Sequence, residues 1–256
     1  MIHSGNSYPP ASTWLVFPKP NPAACLRLFC FPYAGAGPVV YRTWADGLPK
    51  NVEVISLLYP GRESRLREAP FVSIQSLLSA LPVEIAPYLD RPFVFYGHSL
   101  GGLIAYGLAR VLRSQSAPLP AHLFISSRRA AHLPDPHPPI HGLSDAAFAD
   151  AIQQRYNGIP AVIRQDPELE ALFLPVLKAD FSILDTYQYT PEPAFDFPIS
   201  AYGGLQDPGV TQEELSAWQH HTTQGFSLQM FPGDHFFIQS QRASLLQAIS
   251  KDLAAY

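Results

Sequence analysis

Short runs of almost unbroken apolar residues alternate along this chain with stretches of helical periodicity. That alternation most restricts what the chain can fold into. Leu26–Phe31 ends at Pro32 and Val52–Tyr59 ends at Pro60-Gly61, so both read as buried strands closed by turn residues. Phe93–Tyr96 and Leu123–Ser126 repeat the pattern. Between them Ile74, Leu77, Leu78, Leu81, Ile85 and Leu89 recur at helical spacing, with Pro82 expected to kink that helix. Leu100, Leu103, Ile104, Leu108, Val111 and Leu112 mark a second helix. Strands apolar on both faces, separated by amphipathic helices, imply a parallel sheet covered on both sides.

The alternation breaks after Ser126. A proline-locked loop, His132–Ile140, is followed by a long stretch without a strand signal until Phe197–Tyr202. A plain crossover needs far fewer residues, so this stretch reads as an insertion with its own helices. One helix is expected over Asp145–Tyr156 with Ser144 as N-cap, and a longer one over Leu169–Leu184. The pattern resumes with a helix near Thr211–Trp218, a strand at Phe226–Phe231 and a last helix over Phe237–Leu253. Residues 1–24 read as a loose arm with one short strand in Trp14–Phe17.

Composition narrows the function classes. With 256 residues, 47% hydrophobic and 15% charged, the chain buries a large core, as one α/β domain or two small ones. A formal charge of −4 excludes a polybasic nucleic-acid binder. The longest apolar runs fall far short of the ~20 residues that span a bilayer. Met1–Pro10 has no Lys or Arg and no apolar core, so no export signal is expected. Cys25 and Cys30 fall at odd and even positions of one strand, facing opposite sides. Both are expected to be reduced core residues of a cytoplasmic protein.

Gly97-His98-Ser99-Leu100-Gly101 follows a strand directly and opens a helix, the context of a nucleophile elbow. Glycines flank the serine because the turn is too tight for side chains. A serine nucleophile needs a base and an acid, which follow in the order Ser, acid, His on later strands of such a fold. His235, after the last strand, and Asp207, after the strand before it, occupy those places; Asp196 is the next candidate acid. His98 should point away from the nucleophile. His220 and His221 read as solvated residues at a helix end. His132, His137 and His141 crowd one proline-rich loop with no nearby Cys and no helical i,i+4 pair, so no metal site is expected there. For the oxyanion, the Leu100 amide at a helix start is one expected donor, and Phe31–Gly37 is the loop expected to supply the second, from Ala34 first and Tyr33 next.

Taken in order, F-P-Y-A-G-A-G, Y-P-G-R-E-S-R, Y-G-H-S-L-G-G, R-Y-N-G-I-P, L-P-V-L-K-A-D-F, Y-G-G-L-Q-D-P and F-P-G-D-H-F-F resemble the type II thioesterases that accompany polyketide synthases and nonribosomal peptide synthetases. The resemblance runs from about Trp14 to the C-terminus. It implies a single α/β-hydrolase domain over 1–256, with a mostly parallel sheet, helices on both faces and a helical lid insertion at about 129–193. It also implies a Ser99, Asp207 and His235 triad and an oxyanion hole of Ala34 and Leu100. Tyr33, Phe173, Phe181 and Phe236 are candidate substrate or lid residues: the helix over Leu169–Leu184 carries more apolar residues than one face needs, so Phe173 and Phe181 either face the acyl chain or pack on the core. Ala36 departs from the family pattern, which often has a further glycine there. The implied substrates are acyl or aminoacyl thioesters on acyl or peptidyl carrier protein domains. No metal or cofactor is expected, because the phosphopantetheine belongs to the substrate; nor is a nucleic-acid or membrane partner, and the chain is expected to act as a monomer. A medium-chain fatty acyl thioesterase or a small-ester esterase would use the same triad. Arg62, Arg65 and Arg67 form the densest basic cluster: either a patch for an acidic carrier protein or a solvated loop pairing with Glu63 and Glu68.

Overall fold

The computed structural model describes residues 12–156, 158 and 161–256. Met1–Pro10, with His3, lies outside the described residues. The strands are β1 (Leu15–Val16), β2 (Leu26–Phe31), β3 (Val52–Leu57), β4 (Phe93–His98), β5 (Leu123–Ser126), β6 (Ile199–Gly204) and β7 (Phe226–Phe231). They form one sheet in the order β1-β3-β2-β4-β5-β6-β7. Neighbours are parallel except β1, which runs antiparallel to β3.

The helices are α1 (Ile74–Ile85), α2 (Leu100–Ser114), α3 (Asp145–Tyr156), α4 (Ala161–Arg164), α5 (Pro167–Asp185), α6 (Gln212–Ser216), α7 (Phe237–Ser240) and α8 (Arg242–Leu253). The period-2 rule sorts the strand side chains between two apolar layers. Phe29, Phe31, Phe95 and Ile125 pack with Leu81 of α1 and Leu103 of α2. Leu28, Cys30, Val54 and Tyr96 pack with Trp44 and with Leu245 and Ile249 of α8. Each core strand from β2 to β6 is buried along its length. A third apolar cluster belongs to the segment between β5 and β6, where Phe148 and Ile152 of α3 meet Leu174, Leu177 and Phe181 of α5.

Register places the site. Gly97 of β4 pairs with Phe31 of β2 and Ile125 of β5, and Ser126 pairs with Tyr202 of β6. The loops after β2, β4, β6 and β7 therefore leave from one edge of the sheet, at the C-terminal ends of its strands.

Several expectations are corrected. Cys25 is exposed, because it precedes β2 at the open end of the sheet, where Asn51 Nδ2 donates to its Sγ at 3.3 Å; Cys30 is buried, and both are free thiols. The first helix runs through Pro82 and ends at Ile85, with a 3₁₀ turn over Ala86–Tyr88 in place of further α-helix. The last helix is divided at Gln241, whose φ of −106° and ψ of 21° leave the helical region. The short helix α4 has no periodic signal long enough to read. Among the described residues no helix is long and apolar enough to cross a membrane.

Candidate active site

Ser99 stands between β4 and α2 with φ 53° and ψ −117°, a region that non-glycine residues avoid. Surrounding hydrogen bonds hold it there: its amide donates to Ser126 O at 2.7 Å, and its carbonyl accepts from the Gly102 amide at 3.0 Å. The flanking glycines answer to close approaches. A Cβ on Gly97 would collide with the Gly101 backbone, and one on Gly101 with the Phe31 carbonyl. The turn thus brings α2 down onto β2 and lifts the serine hydroxyl out of the sheet edge.

His235 follows β7 and is 3% exposed; Asp207 follows β6. Their loops are tied together, for Gly233 N donates to Gln206 Oε1 at 2.7 Å and Gln206 N donates to Gly233 O at 2.9 Å. Asp207 Oδ2 lies 2.8 Å from His235 Nδ1, and His235 Nε2 lies 3.0 Å from Ser99 Oγ. An ionised carboxylate only accepts, so Nδ1 carries the ring proton and Nε2 is left to accept from the serine hydroxyl. The other Asp207 oxygen accepts from Gly209 N at 2.8 Å. Such a chain can withdraw a proton from Ser99 and stabilise the resulting imidazolium. Asp196 is exposed before β6 and takes no part.

The Leu100 amide is the first of α2, with no helical carbonyl four residues back to receive it. Ala34 lines a cavity of about 30 Å³ with Ser99, His235, Tyr156, Leu177 and Phe181. A second cavity of about 560 Å³ lies beside it, sharing Tyr33, Ala34, Gly158 and Phe236 and bounded further by Phe173 and Val176 of α5. The four candidate substrate or lid side chains therefore divide. Tyr33 and Phe236 border both spaces, Phe181 only the small one and Phe173 only the large one, where it presses on Gly35.

His98, His122, His132, His141 and His221 have definite side-chain partners. His98 Nδ1 lies 2.9 Å from Ser126 Oγ; burial, and then the nearby His235, pushes its imidazole well below the ordinary value, so it is neutral. The expectation of a solvated His221 is overturned: it is buried, with Nδ1 3.0 Å from Tyr106 Oη and Nε2 2.8 Å from His132 Nδ1. His141 Nδ1 lies 2.8 Å from Asp185 Oδ2. Among the described residues no group of three metal-ligating side chains occurs.

The basic patch is also overturned. Arg62 turns inward to Asp180 of α5, and Arg65 is buried against Glu68 with its guanidinium 4.4 Å from the Trp14 ring centroid; Arg67 alone of the three is exposed. Sequence reasoning missed Asp180, Tyr156, Ile152 and Leu177. Asp180 stands inside L-P-V-L-K-A-D-F, where a carboxylate amid apolar neighbours was the available signal.

A model of the thioesterase domain family matches residues 26–253. Gramicidin S biosynthesis protein GrsT of Aneurinibacillus migulanus is 41% identical over 94% of this chain and 93% of its own. Among solved structures, the RedJ thioesterase from the prodiginine biosynthetic pathway of Streptomyces coelicolor superposes with a TM-score of 0.84 at 37% identity, covering 90% of this chain and 91% of that one. The type II thioesterase BorB from the borrelidin biosynthetic cluster gives 0.82 at 30% identity over 94% and 96%.

Proposed function

The chain belongs to the type II thioesterase family, and on that premise we propose that it frees carrier proteins of polyketide or nonribosomal peptide assembly lines by hydrolysing acyl or aminoacyl thioesters on their phosphopantetheine arms. In this reading Ser99 is the nucleophile, His235 the base and Asp207 the residue that orients it. The observation that carries it is the unbroken hydrogen-bonded path from Asp207 through His235 to Ser99, opening on a cavity.

His235 takes the Ser99 proton as the oxygen attacks the thioester carbonyl. The Leu100 and Ala34 amides receive the developing oxyanion. His235 returns the proton to the departing thiol, and a water then attacks the acyl-enzyme with His235 again as base. Residues from about 129 to 193 act as a lid. The small cavity takes the acyl group and the large one the arm, which favours short acyl or aminoacyl groups over the medium-chain alternative. The substrate and the two free thiols fit a cytoplasmic setting.

The test is hydrolysis of acetyl, aminoacyl and decanoyl groups on a holo-carrier protein, followed by mass spectrometry. Wild type should clear the short groups fastest and Ser99→Ala should clear none, with unchanged melting. Activity of Ser99→Ala within tenfold of wild type would remove Ser99 as nucleophile, and preference for decanoyl would favour the fatty acyl reading.

A further inference from the structure

Asp180 on α5 is 2% exposed and takes three hydrogen bonds. The Gly35 amide donates to Oδ2 at 2.7 Å, and Arg62 donates from Nη1 to Oδ2 at 2.8 Å and from Nη2 to Oδ1 at 2.9 Å. Arg62, also buried, donates from Nη1 to Ala36 O at 3.2 Å and from Nε to Pro60 O at 3.4 Å. One carboxylate and one guanidinium thus grip the Gly35–Ala36 unit from both ends, bridging groups 118 positions apart in the chain. Burial disfavours the Arg62 charge, but the adjacent Asp180 more than offsets this and holds the guanidinium above its ordinary value.

The grip bears on the oxyanion loop because of where Gly35 stands. The Gly35 amide lies in the peptide plane that follows Ala34, whereas the Ala34 N–H shares the preceding plane with the Tyr33 carbonyl; the two planes meet at the Ala34 Cα, and the Tyr33 carbonyl is itself held by Ala36 N, the residue whose carbonyl Arg62 grips. Gly35 has φ +75°, and an added Cβ would meet Phe173 at 2.8 Å, so α5 presses directly on this turn. The turn's own closure, Ala36 N donating to Tyr33 O at 3.0 Å, leaves the Gly35 amide free to point outward to α5.

We propose that Asp180, oriented by Arg62, is a positioning residue for the hydrolysis: the pair holds the Tyr33–Ala36 turn from both ends and so aims its Ala34 N–H at the oxyanion, and the hole is complete only while α5 is seated over Ser99. This rests on the reading of Ala34 as an oxyanion donor. Losing such a donor outright lowers kcat on the order of 10²–10³-fold, and misaiming it forfeits part of that. The donors act on the tetrahedral oxygen and not on the planar thioester, so the loss should fall on kcat and spare ground-state binding.

Asp180→Asn keeps an oxygen for Gly35 and removes the charge that aligns Arg62; Arg62→Lys keeps the charge and removes the fork. Each should lower kcat by about 5–20-fold with KM within twofold. A trifluoromethyl ketone that adds to Ser99 should lose affinity by a similar factor, while a non-reacting pantetheine amide binds as in wild type. Should one variant fail to fold, the other carries the measurement. An unchanged kcat and ketone affinity, or equal weakening of ketone and amide, would overturn the proposal. Wild type and Ser99→Ala run alongside, so failure of the function reading appears as a wild type that hydrolyses no thioester, whereas the ketone arm tests Asp180 without turnover.

Discussion

The phenol ring of Tyr156 packs 4.8 Å from the imidazole of His235, so the last residue of α3 touches the ring that is hydrogen-bonded to Ser99. The same ring lies 6.0 Å from Phe181 of α5, joining the covering segment to the site through one aromatic side chain. Removing it opens the His235 face to water and frees the ring to rotate. Tyr156→Ala should lower kcat severalfold while Tyr156→Phe, which keeps the ring, stays near wild type. Steady-state hydrolysis of one short acyl thioester by both variants checks this, and equal loss in the two would assign the effect to the hydroxyl.

Asp207 is a stricter test of the hydrogen-bonded path. Replacing it with Asn preserves shape but offers His235 Nδ1 an amide in place of a carboxylate, so the ring is no longer held with Nε2 free to accept. A kcat loss of ~10³–10⁴ is expected, with KM little changed. Retention of more than a tenth of the activity would mean that another group orients His235.

The elbow predicts a stability effect with little dependence on chemistry. A Cβ at Gly101 would overlap the Phe31 carbonyl, which belongs to the central strand β2 and has no flexible end to move aside. Gly101→Ala should therefore destabilise by several kcal/mol, far beyond a surface Gly→Ala change. At Gly142 an added methyl meets nothing within 4 Å, so Gly142→Ala should melt near wild type. Equal melting temperatures for the two variants would contradict the close packing of α2 on β2.

Sheet order and site differ in how far the sequence exposes them. Strands such as β4 announce themselves because both faces are buried and the run Phe93–Tyr96 is uniformly apolar. Ser99, His235 and Asp207 are legible because a fixed chain order and strand-end positions constrain them. Arg62 is the opposite case: an arginine in a run of charges reads as solvated, and only the folded chain brings α5 across to pair it with Asp180. His221 fails for the same reason, since its partners Tyr106 and His132 come from distant elements. Pairing between remote segments leaves no periodic trace, so local patterns find the sheet and miss the contacts that tie the covering segment to it.

Buried histidines give the fold an acid sensitivity of definite sign. Burial pushes His122 and His221 down to about 4, and His98 is lowered in the same sense. In the unfolded chain each titrates near ~6.5, so below that pH the unfolded state gains protons that the folded state refuses. Stability should be flat above about pH 6.5 and fall as pH drops toward 4, with His122 alone contributing roughly 1–2 kcal/mol at pH 5. Urea unfolding at pH 8, 6 and 5 measures the slope, and His122→Gln, which retains a polar group near Ser200, should flatten it. A His122→Gln curve parallel to wild type would place the acid sensitivity elsewhere.

The two cavities make opposite demands on two phenylalanines of one helix. Phe181 closes the 30 Å³ space beside Ser99 and is braced edge-on by Phe148 at 5.6 Å. Phe173 borders only the 560 Å³ space and is half-buried. If the acyl group occupies the small space and the pantetheine arm the large one, shortening Phe181 lengthens the acyl pocket, while trimming Phe173 removes a wall common to every substrate. Phe181→Leu is the better probe, because truncating a buried Phe to Ala removes about 3–5 kcal/mol of stability and would blur the result. Phe181→Leu should raise kcat/KM for butyryl and hexanoyl relative to acetyl thioesters, and Phe173→Ala should raise KM for all three by a common factor. The reverse pattern, with chain length sensed at Phe173, would put the acyl group in the large cavity and turn the arm toward Phe181.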